Sequence, residues 1–479
     1  MVVQKETSRW SGRRARVSLS AVISAGAIVL LLSAVDAGPA AARSGSVRAI
    51  PAGFQDWSMW RRDQAHIGVS PETILSASSA FKLHWSVNTA NAGTTTLSYS
   101  SPAIVFNSTL NKSIVYVGNQ QGDMNAYDAA TGSPVWSYKV GKSAGLSKMI
   151  ETSPAVSNGT LYFGDGDYHE YALNATTGAL ICKSQSLAGI TAASPLVANT
   201  DGKGDVVYFG DAGANGNASD GGHEWAMYGV GNTSGTACGT KWVFSNFGSP
   251  PGSQNGISGV YSSQAYGHLA NQTPVIVFGS TDPDDSIYEL NASTGALLWR
   301  FQAPVVFDSD IGAPATIAPP GTIGAVGSPS YVDGVVFDTA KSAVTYALDL
   351  KTGAKIWSFD IRKTIGHGNP TQSGASLVGN TLYLGYGGGV FALNAATGAK
   401  VWTSTVGPGV VSSPAISGPA GNQVLFVGDL AGSVKAISLS TGASVFSYST
   451  GKLIFASAAV STGQFFISSS NGYLYAFGQ

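Results

Sequence analysis

Carboxylates cluster at a few points of this chain, and they are its first candidates for chemistry. Asp282, Asp284 and Asp285 stand together around one proline, and oxygen ligands at such close spacing suit Ca²⁺. The alternative for this cluster is a solvated turn. A carboxylate next to a substrate hydroxyl can also take up its proton as a general base. The candidates for that role are Glu151, Asp308 and Asp310.

Histidine is scarce, with six in the chain, yet His169-Glu170 and His223-Glu224 repeat one pairing. No His-Glu-x-x-His motif accompanies them, which argues against a zinc hydrolase. Two aspartates, Asp165 and Asp211, share one repeated position with Asp338 and Asp429, where an aspartate can equally serve a turn. The candidate ligand-binding or cofactor-binding residues are Asp165, His169, Asp211, His223 and His367.

A repeated phrase shows which elements must position these side chains. Tyr-Ala-Leu-Asn-Ala-Thr-Thr-Gly-Ala at 171–179 returns with small changes at Tyr288–Ala296, Tyr346–Ala354, Phe391–Ala399 and Ala436–Ala443. Self-similarity at a period of several tens of residues is typical of a repeat array. Each unit reads as four short strands: one opening with Ser-Pro-Ala, one ending in an aromatic plus Gly, one ending in Ala-Leu-Asn, and one carrying Trp after a Thr-Gly turn. Four antiparallel strands make one propeller blade.

Two recurring positions count the blades. The Trp position is filled by Trp85, Trp136, Cys182, Trp242, Trp299, Trp357, Trp402 and Phe446, and the first-strand position by Ser101, Ser153, Ser194, Ser263, Ser328, Gly374, Ser413 and Ser457. The sequence therefore predicts an all-β fold, an eight-bladed β-propeller of four-stranded antiparallel blades. Its N-terminal strand, Lys82–Val87, would share the last blade with the C-terminal strands and leave no free edge. We predict that the tryptophan is a structural wedge between blades rather than a stacking surface for a ligand.

The repeats differ most in three long loops. The extra residues fall in Asp211–Gly222, Phe247–Tyr261 and Gln302–Gly327. The strand count assigns all three to one face, which carries the loops between second and third strands and the loops leading into the next blade. Enlarged loops on one face of a rigid scaffold are the usual seat of recognition. We therefore predict the functional site on this long-loop face, where the count also places the candidate residues above.

Composition narrows the class of partner. Charged residues are 11% of the chain and the net charge is −1, so no long-range attraction to nucleic acid or to an anionic membrane is expected. No glycine-rich phosphate loop precedes a helix, which argues against NAD. No Cys-x-x-Cys-His motif is present, so we expect no covalent haem. We also expect the chain to be a monomer.

The first 42 residues have the order of a secretory signal. Four arginines precede an apolar run from about Ala21 to Val35, and Ala40-Ala41-Ala42 follows. We expect cleavage near Ala42 and export to the periplasm, the cell envelope or the medium, by the general or the twin-arginine route, with an uncleaved membrane anchor as the alternative. The expected plan is a signal peptide at 1–42, a lead-in segment at 43–80 and the propeller at 81–479. Export would allow a disulfide between the two cysteines, Cys182 and Cys238, and two buried thiols are the alternative.

The unit Ser153-Pro154-Ala155, Tyr162-Phe163-Gly164 and Tyr171–Ala179 resembles the repeat of pyrroloquinoline-quinone (PQQ) propellers, the quinoprotein alcohol dehydrogenase-like superfamily. The likeness covers about residues 54 to 479, and Asp56–Ser70 resembles the stretch before the propeller in secreted members, including polyvinyl-alcohol dehydrogenases. The resemblance implies that a member oxidising alcohols holds the quinone over the axis with Ca²⁺ and an Asp base. Such members often carry a disulfide between adjacent cysteines, which this chain lacks, and other members are scaffolds of outer-membrane assembly.

Two functional hypotheses follow. The first is a secreted binding module that presents its long-loop face to a protein, a polymer or a glycan. The alternative is a PQQ- and Ca²⁺-dependent dehydrogenase that oxidises an alcohol or polyol. In that case the base would be Asp308, Asp310 or Glu151, the quinone would lie near the five ligand-binding candidates, and the aspartates at 282, 284 and 285 would bind Ca²⁺.

Overall fold

The computed structural model describes residues 56–90, 98–141, 149–191, 193–213, 221–245, 257, 259–304, 309–323, 332–365 and 373–479. These residues form eight four-stranded antiparallel sheets, which are the blades of a β-propeller. The predicted all-β, eight-bladed fold is confirmed. The helical structure within these ranges is α1 (Ile361–Ile365), and none of it has the length and apolarity needed to cross a bilayer.

Seven blades are built from consecutive strands, and the last also takes the first strand of the chain, β1 (Lys82–Asn88). Blade 1 contains β2 (Ala103–Asn107), β3 (Lys112–Gly118), β4 (Asp123–Asp128) and β5 (Pro134–Lys139), and blade 2 contains β6 (Ala155–Ser157), β7 (Thr160–Asp165), β8 (His169–Asn174) and β9 (Leu180–Lys183). Blade 3 contains β10 (Leu196–Ala198), β11 (Val206–Asp211), β12 (His223–Tyr228) and β13 (Thr240–Phe244), and blade 4 contains β14 (Ala265–His268), β15 (Pro274–Gly279), β16 (Ser286–Asn291) and β17 (Leu297–Gln302). Blade 5 contains β18 (Thr316–Ala318), β19 (Val335–Ala340), β20 (Val344–Asp349) and β21 (Lys355–Asp360), and blade 6 contains β22 (Ser376–Val378), β23 (Thr381–Tyr386), β24 (Gly389–Asn394) and β25 (Lys400–Thr405). Blade 7 contains β26 (Ala415–Ser417), β27 (Val424–Gly428), β28 (Ser433–Ser438) and β29 (Ser444–Ser449). Blade 8 contains β30 (Ala459–Ser461), β31 (Gln464–Ser468) and β32 (Tyr473–Gly478), together with β1.

The two ends of the described chain close the ring in blade 8. Strand β1 pairs antiparallel with β32, from Lys82 opposite Gly478 to Asn88 opposite Tyr473. This is the closure that the count of tryptophan positions predicted. Middle strands such as β7 are buried along their whole length, whereas the outer strand β9 is mostly exposed. Each blade therefore buries its apolar surface against its neighbours, as the continuous apolar runs of the middle strands require.

The innermost strands of the blades are joined by a ring of hydrogen bonds, which we call the serine ring. The backbone N–H of Ser101 donates to the hydroxyl oxygen of Ser153 at 2.9 Å, and Ser153 donates to Ser194 in the same way. The pattern passes from blade to blade, and in the described residues it joins Gly374, Ser413, Ser457, Ser101, Ser153, Ser194 and Ser263. The serine of the Ser-Pro-Ala motif therefore links neighbouring blades at the axis.

The predicted first strand of blade 5 is wrong. That strand is β18, which lies before residue 328, and Ser328 itself falls outside the described residues. By its distance from β18, Pro314 holds the position that serine holds elsewhere, and a proline offers neither an N–H nor a hydroxyl to the serine ring. Residues 319–323 therefore belong to the connection between β18 and β19, on the face opposite the long loops. Only the first part of Gln302–Gly327 lies on the predicted face.

The repeated tryptophan is the wedge that the sequence predicted. The indole N–H of Trp136 in blade 1 donates to the carbonyl of Ala175 in blade 2 at 3.0 Å. Its ring lies so close to Gly178 that an added Cβ there would be 2.7 Å from the indole. Gly178 also has a φ of 72°, which glycine adopts without strain. The same contact joins Trp357 to Gly398 in the next blade, so the Thr-Gly turn and the tryptophan form one docking contact.

A disulfide replaces this docking contact between blades 2 and 3. Cys182 occupies the tryptophan position of blade 2 and is bonded to Cys238 of blade 3, with the Cα atoms 6.0 Å apart. Cys238 stands two residues before Thr240, which pairs with Met227, just as Gly178 stands two residues before Leu180. It also has a positive φ of 61°. The cysteine pair therefore substitutes position for position for the Trp–Gly pair of the other blades.

The lead-in segment fills the space inside the innermost strands. Trp57 exchanges backbone hydrogen bonds with Ile104 of blade 1, Ala65 accepts one from Ile317 of blade 5, and Gly68 accepts one from Ile416 of blade 7. The segment also reaches the first strands of blades 2, 3, 4 and 6, and Glu72 accepts hydrogen bonds from the backbone of blade 8. Because these contacts lie beyond the serine ring, the central channel is closed on the side opposite the long loops.

We expect the docking contacts to carry much of the stability of the ring. Trp357→Ala should lower the free energy of unfolding by about 3–5 kcal/mol, because it removes a large buried ring. Trp357→Phe should cost less, since it keeps much of the packing and loses the hydrogen bond to the Ala395 carbonyl. Denaturant unfolding measures both changes. Equal losses for the two variants would show that the ring itself does not dock the blades.

The disulfide allows a sharper test of the same contact. Cys182→Ser with Cys238→Ser should lower the stability by about 2–4 kcal/mol, because it removes a cross-link from the unfolded chain and a packed contact from the folded one. Cys182→Trp with Cys238→Gly should recover part of that loss, since it rebuilds the pair found at the other junctions. If the Trp–Gly variant is no more stable than the double serine variant, the two pairs are not equivalent.

Candidate functional site

The residues two positions before the serine ring surround the propeller axis on the long-loop face. In the described part of the chain they are Tyr99, Glu151, Tyr261, Gly312, Val411 and Phe455. Each stands at the end of a loop that leads into the first strand of its blade. We call this group, together with Gln120, the axial mouth.

Side chains of several blades lie together in the axial mouth. The rings of Tyr99 in blade 1 and Phe455 in blade 8 make an edge-to-face contact with their centroids 4.6 Å apart. Burial raises the pKa of the Tyr99 phenol and of the Tyr261 phenol, the latter to about 12, and the Glu151 carboxylate raises both further. Blades 2 and 4 are not adjacent, so Glu151 and Tyr261 can influence each other only across the axis. Closure of the ring therefore places three aromatic rings and one carboxylate at equivalent positions around the axis.

Glu151 is the predicted site residue that the structure places at the axis. It is partly buried, and its Oε1 accepts a hydrogen bond of 3.0 Å from the side-chain amide of Gln120. Burial raises the pKa of its carboxyl, and the amide of Gln120 lowers it in part. No lysine, arginine or histidine of the described residues forms an ion pair with it. A partly desolvated carboxylate without a counter-charge is therefore available to a ligand.

Asp310 lies beside the mouth in a buried ion pair. Its Oδ2 is 3.1 Å from the Nζ of Lys341, and its Oδ1 accepts a hydrogen bond of 2.7 Å from the backbone N–H of Asp282. Asp310 stands two residues before Gly312 of the mouth, and its carboxylate also raises the pKa of Tyr261. The pair is electrically neutral, and it supplies both a carboxylate and an ammonium group at the edge of the axial mouth.

Asp211 and His223 hydrogen-bond to each other within the hairpin of β11 and β12, and their predicted role in cofactor binding stays a prediction. One carboxylate oxygen of Asp211 accepts hydrogen bonds from the backbone of Gly213 and His223 and lies 3.1 Å from the His223 Nδ1. The other oxygen accepts the indole N–H of Trp225 at 2.8 Å. These contacts hold the turn between β11 and β12, as the alternative interpretation of this aspartate position predicted.

The equivalent residues of blade 2 are also turned into their own hairpin. Asp165 accepts a hydrogen bond from the backbone N–H of Asp167 at 3.1 Å, a local turn contact. The His169 Nδ1 is 3.4 Å from a carboxylate oxygen of Asp167 and 3.0 Å from its carbonyl oxygen. Neither residue makes a contact with the residues of the axial mouth in the described structure. Their predicted role in cofactor binding stays a prediction.

The acidic cluster at 282–285 is a folded turn. Asp284 forms an ion pair with Arg300 and accepts a hydrogen bond from Ser286, and Asp285 is buried. Within the described residues no three His, Cys, Asp or Glu side chains gather into a group that could hold a metal ion. The predicted Ca²⁺ role of Asp282 therefore has no ligand set in this part of the chain. Asp308 and His367 lie outside the described residues.

The sequence prediction missed the aromatic residues of the mouth and Lys341. A signal for the aromatic residues was present, because the position two before the repeated serine changes from blade to blade while the serine and its neighbours recur. No such pattern marks Lys341. It belongs to the candidate site because its ammonium group pairs with the carboxylate of Asp310.

Two fully buried glutamates lie between blades, away from the mouth. Neither carboxyl oxygen of Glu170 has a hydrogen-bond partner among the described residues, whereas Glu224 accepts a hydrogen bond of 2.9 Å from the side chain of Gln264. Burial raises the pKa of both carboxyls well above the usual range. Burial therefore favours the uncharged form of both carboxyl groups.

The fold and its repeat define a class: this is a PQQ-repeat β-propeller of eight blades. The family described as "Outer membrane protein assembly factor BamB" matches residues 60–237 and 266–477. The chain belongs to this family of PQQ repeats. That assignment covers the repeated framework and leaves the role of the axial mouth to be argued from its residues.

Similar proteins include enzymes of different chemistry. The chain is 28% identical over 141 residues to a tetrathionate hydrolase of Acidithiobacillus ferrooxidans. This aligned stretch covers 24% of this chain and 26% of that protein. It is 33% identical over 103 residues to a quinohemoprotein alcohol dehydrogenase of Comamonas testosteroni, covering 20% of this chain and 14% of that protein. The matches span about a quarter or less of these relatives. The structure of a europium-containing methanol dehydrogenase is similar with a TM-score of 0.69 and 16% identity, over 88% of this chain and 98% of that one.

The described mouth fits a quinone with Ca²⁺ only in part. The aromatic rings offer flat surfaces, and Glu151 offers one oxygen ligand. The ammonium group of Lys341 is paired with Asp310, and a second described cation, the buried guanidinium of Arg61, lies beside Gly374 of the serine ring. Calcium takes six to eight oxygen ligands, and the described residues supply one carboxylate at the axis. Cofactor binding therefore needs contributions beyond the described residues.

The buried glutamates predict how stability depends on pH. The pKa of each glutamate is higher in the folded protein than in the unfolded chain. Below the unfolded pKa both states are protonated, so the glutamates do not change the stability. As the pH rises from there toward the folded pKa, the stability of the fold decreases. The expected loss is about 1.4 kcal/mol per pH unit for each group. Glu170→Gln and Glu224→Gln should flatten the fall in melting temperature as the pH rises above the pKa of an unfolded glutamate, about 4.3.

Asp201→Asn is the matched control for this pH test. The Asp201 carboxylate pairs with Lys241 at the surface, and hydrogen bonding to that lysine helps to lower its pKa. Its contribution is therefore lost on the acid side only, and the alkaline slope should be unchanged. If the two Gln variants lose stability with pH as steeply as the wild type, the glutamates are already charged in the folded state.

Proposed function

We propose that this protein is a binding module that takes a ligand in the axial mouth on its long-loop face. The observation that carries the proposal is the placement of Tyr99, Tyr261, Phe455 and Glu151 at equivalent positions around the axis. The Tyr99 and Phe455 rings are in contact, and the Glu151 carboxylate acts on both phenols. A framework role alone accounts for the serine ring and the tryptophan contacts, but it does not require a carboxylate among aromatic rings. Partly exposed aromatic rings with one polar group are typical of a ligand site.

The shape of the central channel supports the same function. The lead-in segment closes the channel beyond the serine ring, with Trp57 and Arg61 buried inside it. The mouth is therefore a cup with one open side. A ligand enters and leaves through the long-loop face, where the longest variable loops stand.

We also propose that the protein works outside the cytoplasm. The N-terminal order of arginines, apolar run and alanines supports export, and the cross-link between Cys182 and Cys238 suits an oxidising compartment. Partners in that compartment would be a small molecule, a polymer, a glycan or another protein.

A second candidate function is that of a PQQ- and Ca²⁺-dependent dehydrogenase. The buried pair of Asp310 and Lys341 beside Tyr261 favours it, because it places a carboxylate base and an ammonium group at the rim of the same mouth. In such an enzyme the quinone would accept hydride from an alcohol, and Glu151 and Tyr261 of the axial mouth would be the residues that contact it.

The mouth is tested by ligand-dependent stabilisation of the purified chain. We expect at least one compound of a panel of polyols, glycan fragments, carboxylates and ammonium compounds to raise the melting temperature, since a ligand at a hundred times its Kd stabilises by about 2.7 kcal/mol. Phe455→Ala should abolish that rise. Phe106→Ala is the control, because this exposed phenylalanine lies at the far end of a first strand. Loss of the rise in both variants would place the site elsewhere.

The two candidate functions separate with the cofactor itself. PQQ and Ca²⁺ are added to the purified chain, and quinone absorbance and dye reduction with a panel of alcohols are recorded. Absence of binding at tens of micromolar PQQ rejects the dehydrogenase and leaves the binding module standing. Quinone binding with alcohol-dependent dye reduction would make the dehydrogenase the function of the mouth.

A further inference from the structure

The charges of the axial mouth point to the chemical class of its ligand. Glu151 is partly buried and has no ion-pair partner among the described residues, while Asp310 and Lys341 neutralise each other. Glu151 is therefore a negatively charged side chain of the axial mouth without an ion-pair partner among the described residues. A partly desolvated carboxylate is costly without a counter-charge, so a cationic ligand would remove that cost on binding.

The aromatic residues around Glu151 favour an organic cation over a metal ion. The faces of Tyr99, Tyr261 and Phe455 carry the negative part of the ring quadrupole, which attracts an ammonium group. A metal ion such as Ca²⁺ would need several further oxygen ligands, and the apolar side chains of Phe455 and Val411 in the axial mouth offer none. Alkyl groups on a cation would instead pack against these rings.

Anionic and uncharged ligands fit this arrangement less well. An anion would be repelled by Glu151, because the charges of Asp310 and Lys341 cancel. A neutral polyol could hydrogen-bond to Glu151 and Gln120 but would leave the charge of the carboxylate uncompensated. Resting on the binding function proposed above, we propose that the axial mouth binds a small organic cation, an alkylammonium group held between the aromatic rings and the carboxylate of Glu151.

A pair of isosteres tests the charge requirement directly. Choline and its uncharged isostere 3,3-dimethyl-1-butanol have nearly the same shape, so their affinities differ through the charge. Isothermal titration of the purified full chain should show that choline binds at least about tenfold more tightly, which is about 1.4 kcal/mol. Equal affinity, or no choline binding at millimolar concentration, overturns the proposal.

Variants assign the effect to the named residues. Glu151→Gln keeps the shape and the hydrogen-bonding capacity and removes the charge, so choline should lose about tenfold or more in affinity while the isostere is unaffected. Tyr261→Ala should weaken both compounds, and Tyr261→Phe should keep the binding of both because the ring remains. Asp333→Asn is the control, since this carboxylate pairs with Lys351 in a hairpin of the opposite face. Unchanged choline binding by Glu151→Gln would also overturn the proposal.

The same measurements distinguish an error in the class of ligand from an error in the proposed binding function. If the isostere or another uncharged compound binds and Phe455→Ala abolishes its binding, the mouth is a ligand site for a neutral molecule. If no compound of the wider panel depends on Phe455, the binding function itself is wrong. Melting curves of each variant without ligand show whether the fold is kept, and Tyr261→Phe gives a folded reference with the ring intact.

Discussion

The docking of each blade onto the next is the interaction on which the rest of this structure depends. The middle strands are buried along their length, so a single blade cannot bury its own apolar surface. A tryptophan of one blade meets the Thr-Gly turn of the next, and between blades 2 and 3 a disulfide takes the same place. Because these contacts fix the spacing of the blades, they also fix which side chains meet at the axis.

The sequence predicted this framework well because its docking residues recur. The tryptophan positions and the strand at Lys82 were enough to count the blades and to close the ring. The prediction failed in blade 5, where Pro314 replaces the serine and a chance Ser-Pro pair appears later at residue 328. The serine ring can be interrupted there because the tryptophan contacts still hold the blade in place. A motif that is dispensable at one junction is a weak guide to strand position.

The candidate site was harder to predict because local and distant contacts look alike in a sequence. Aspartates at strand ends, such as Asp211, attract attention by their charge, yet their contacts lie within one hairpin. Glu151 and Tyr261 are far apart in sequence and in non-adjacent blades, and only closure of the ring brings them together. The informative signal in the sequence was variation. The residue two positions before the repeated serine changes from blade to blade, whereas the serine recurs.

The residues that dock the blades differ from the residues of the axial mouth, so the ligand bound at the mouth can change without loss of the fold. The serine ring uses the backbone and the hydroxyl group just beneath the mouth, and the tryptophan contacts lie at the outer edge of the blades. Neither involves the side chain two positions before the serine. A substitution such as Glu151→Gln therefore alters the charge of the mouth and leaves the docking contacts intact. Since the lead-in segment closes the opposite side, such substitutions act on the only open end of the described channel.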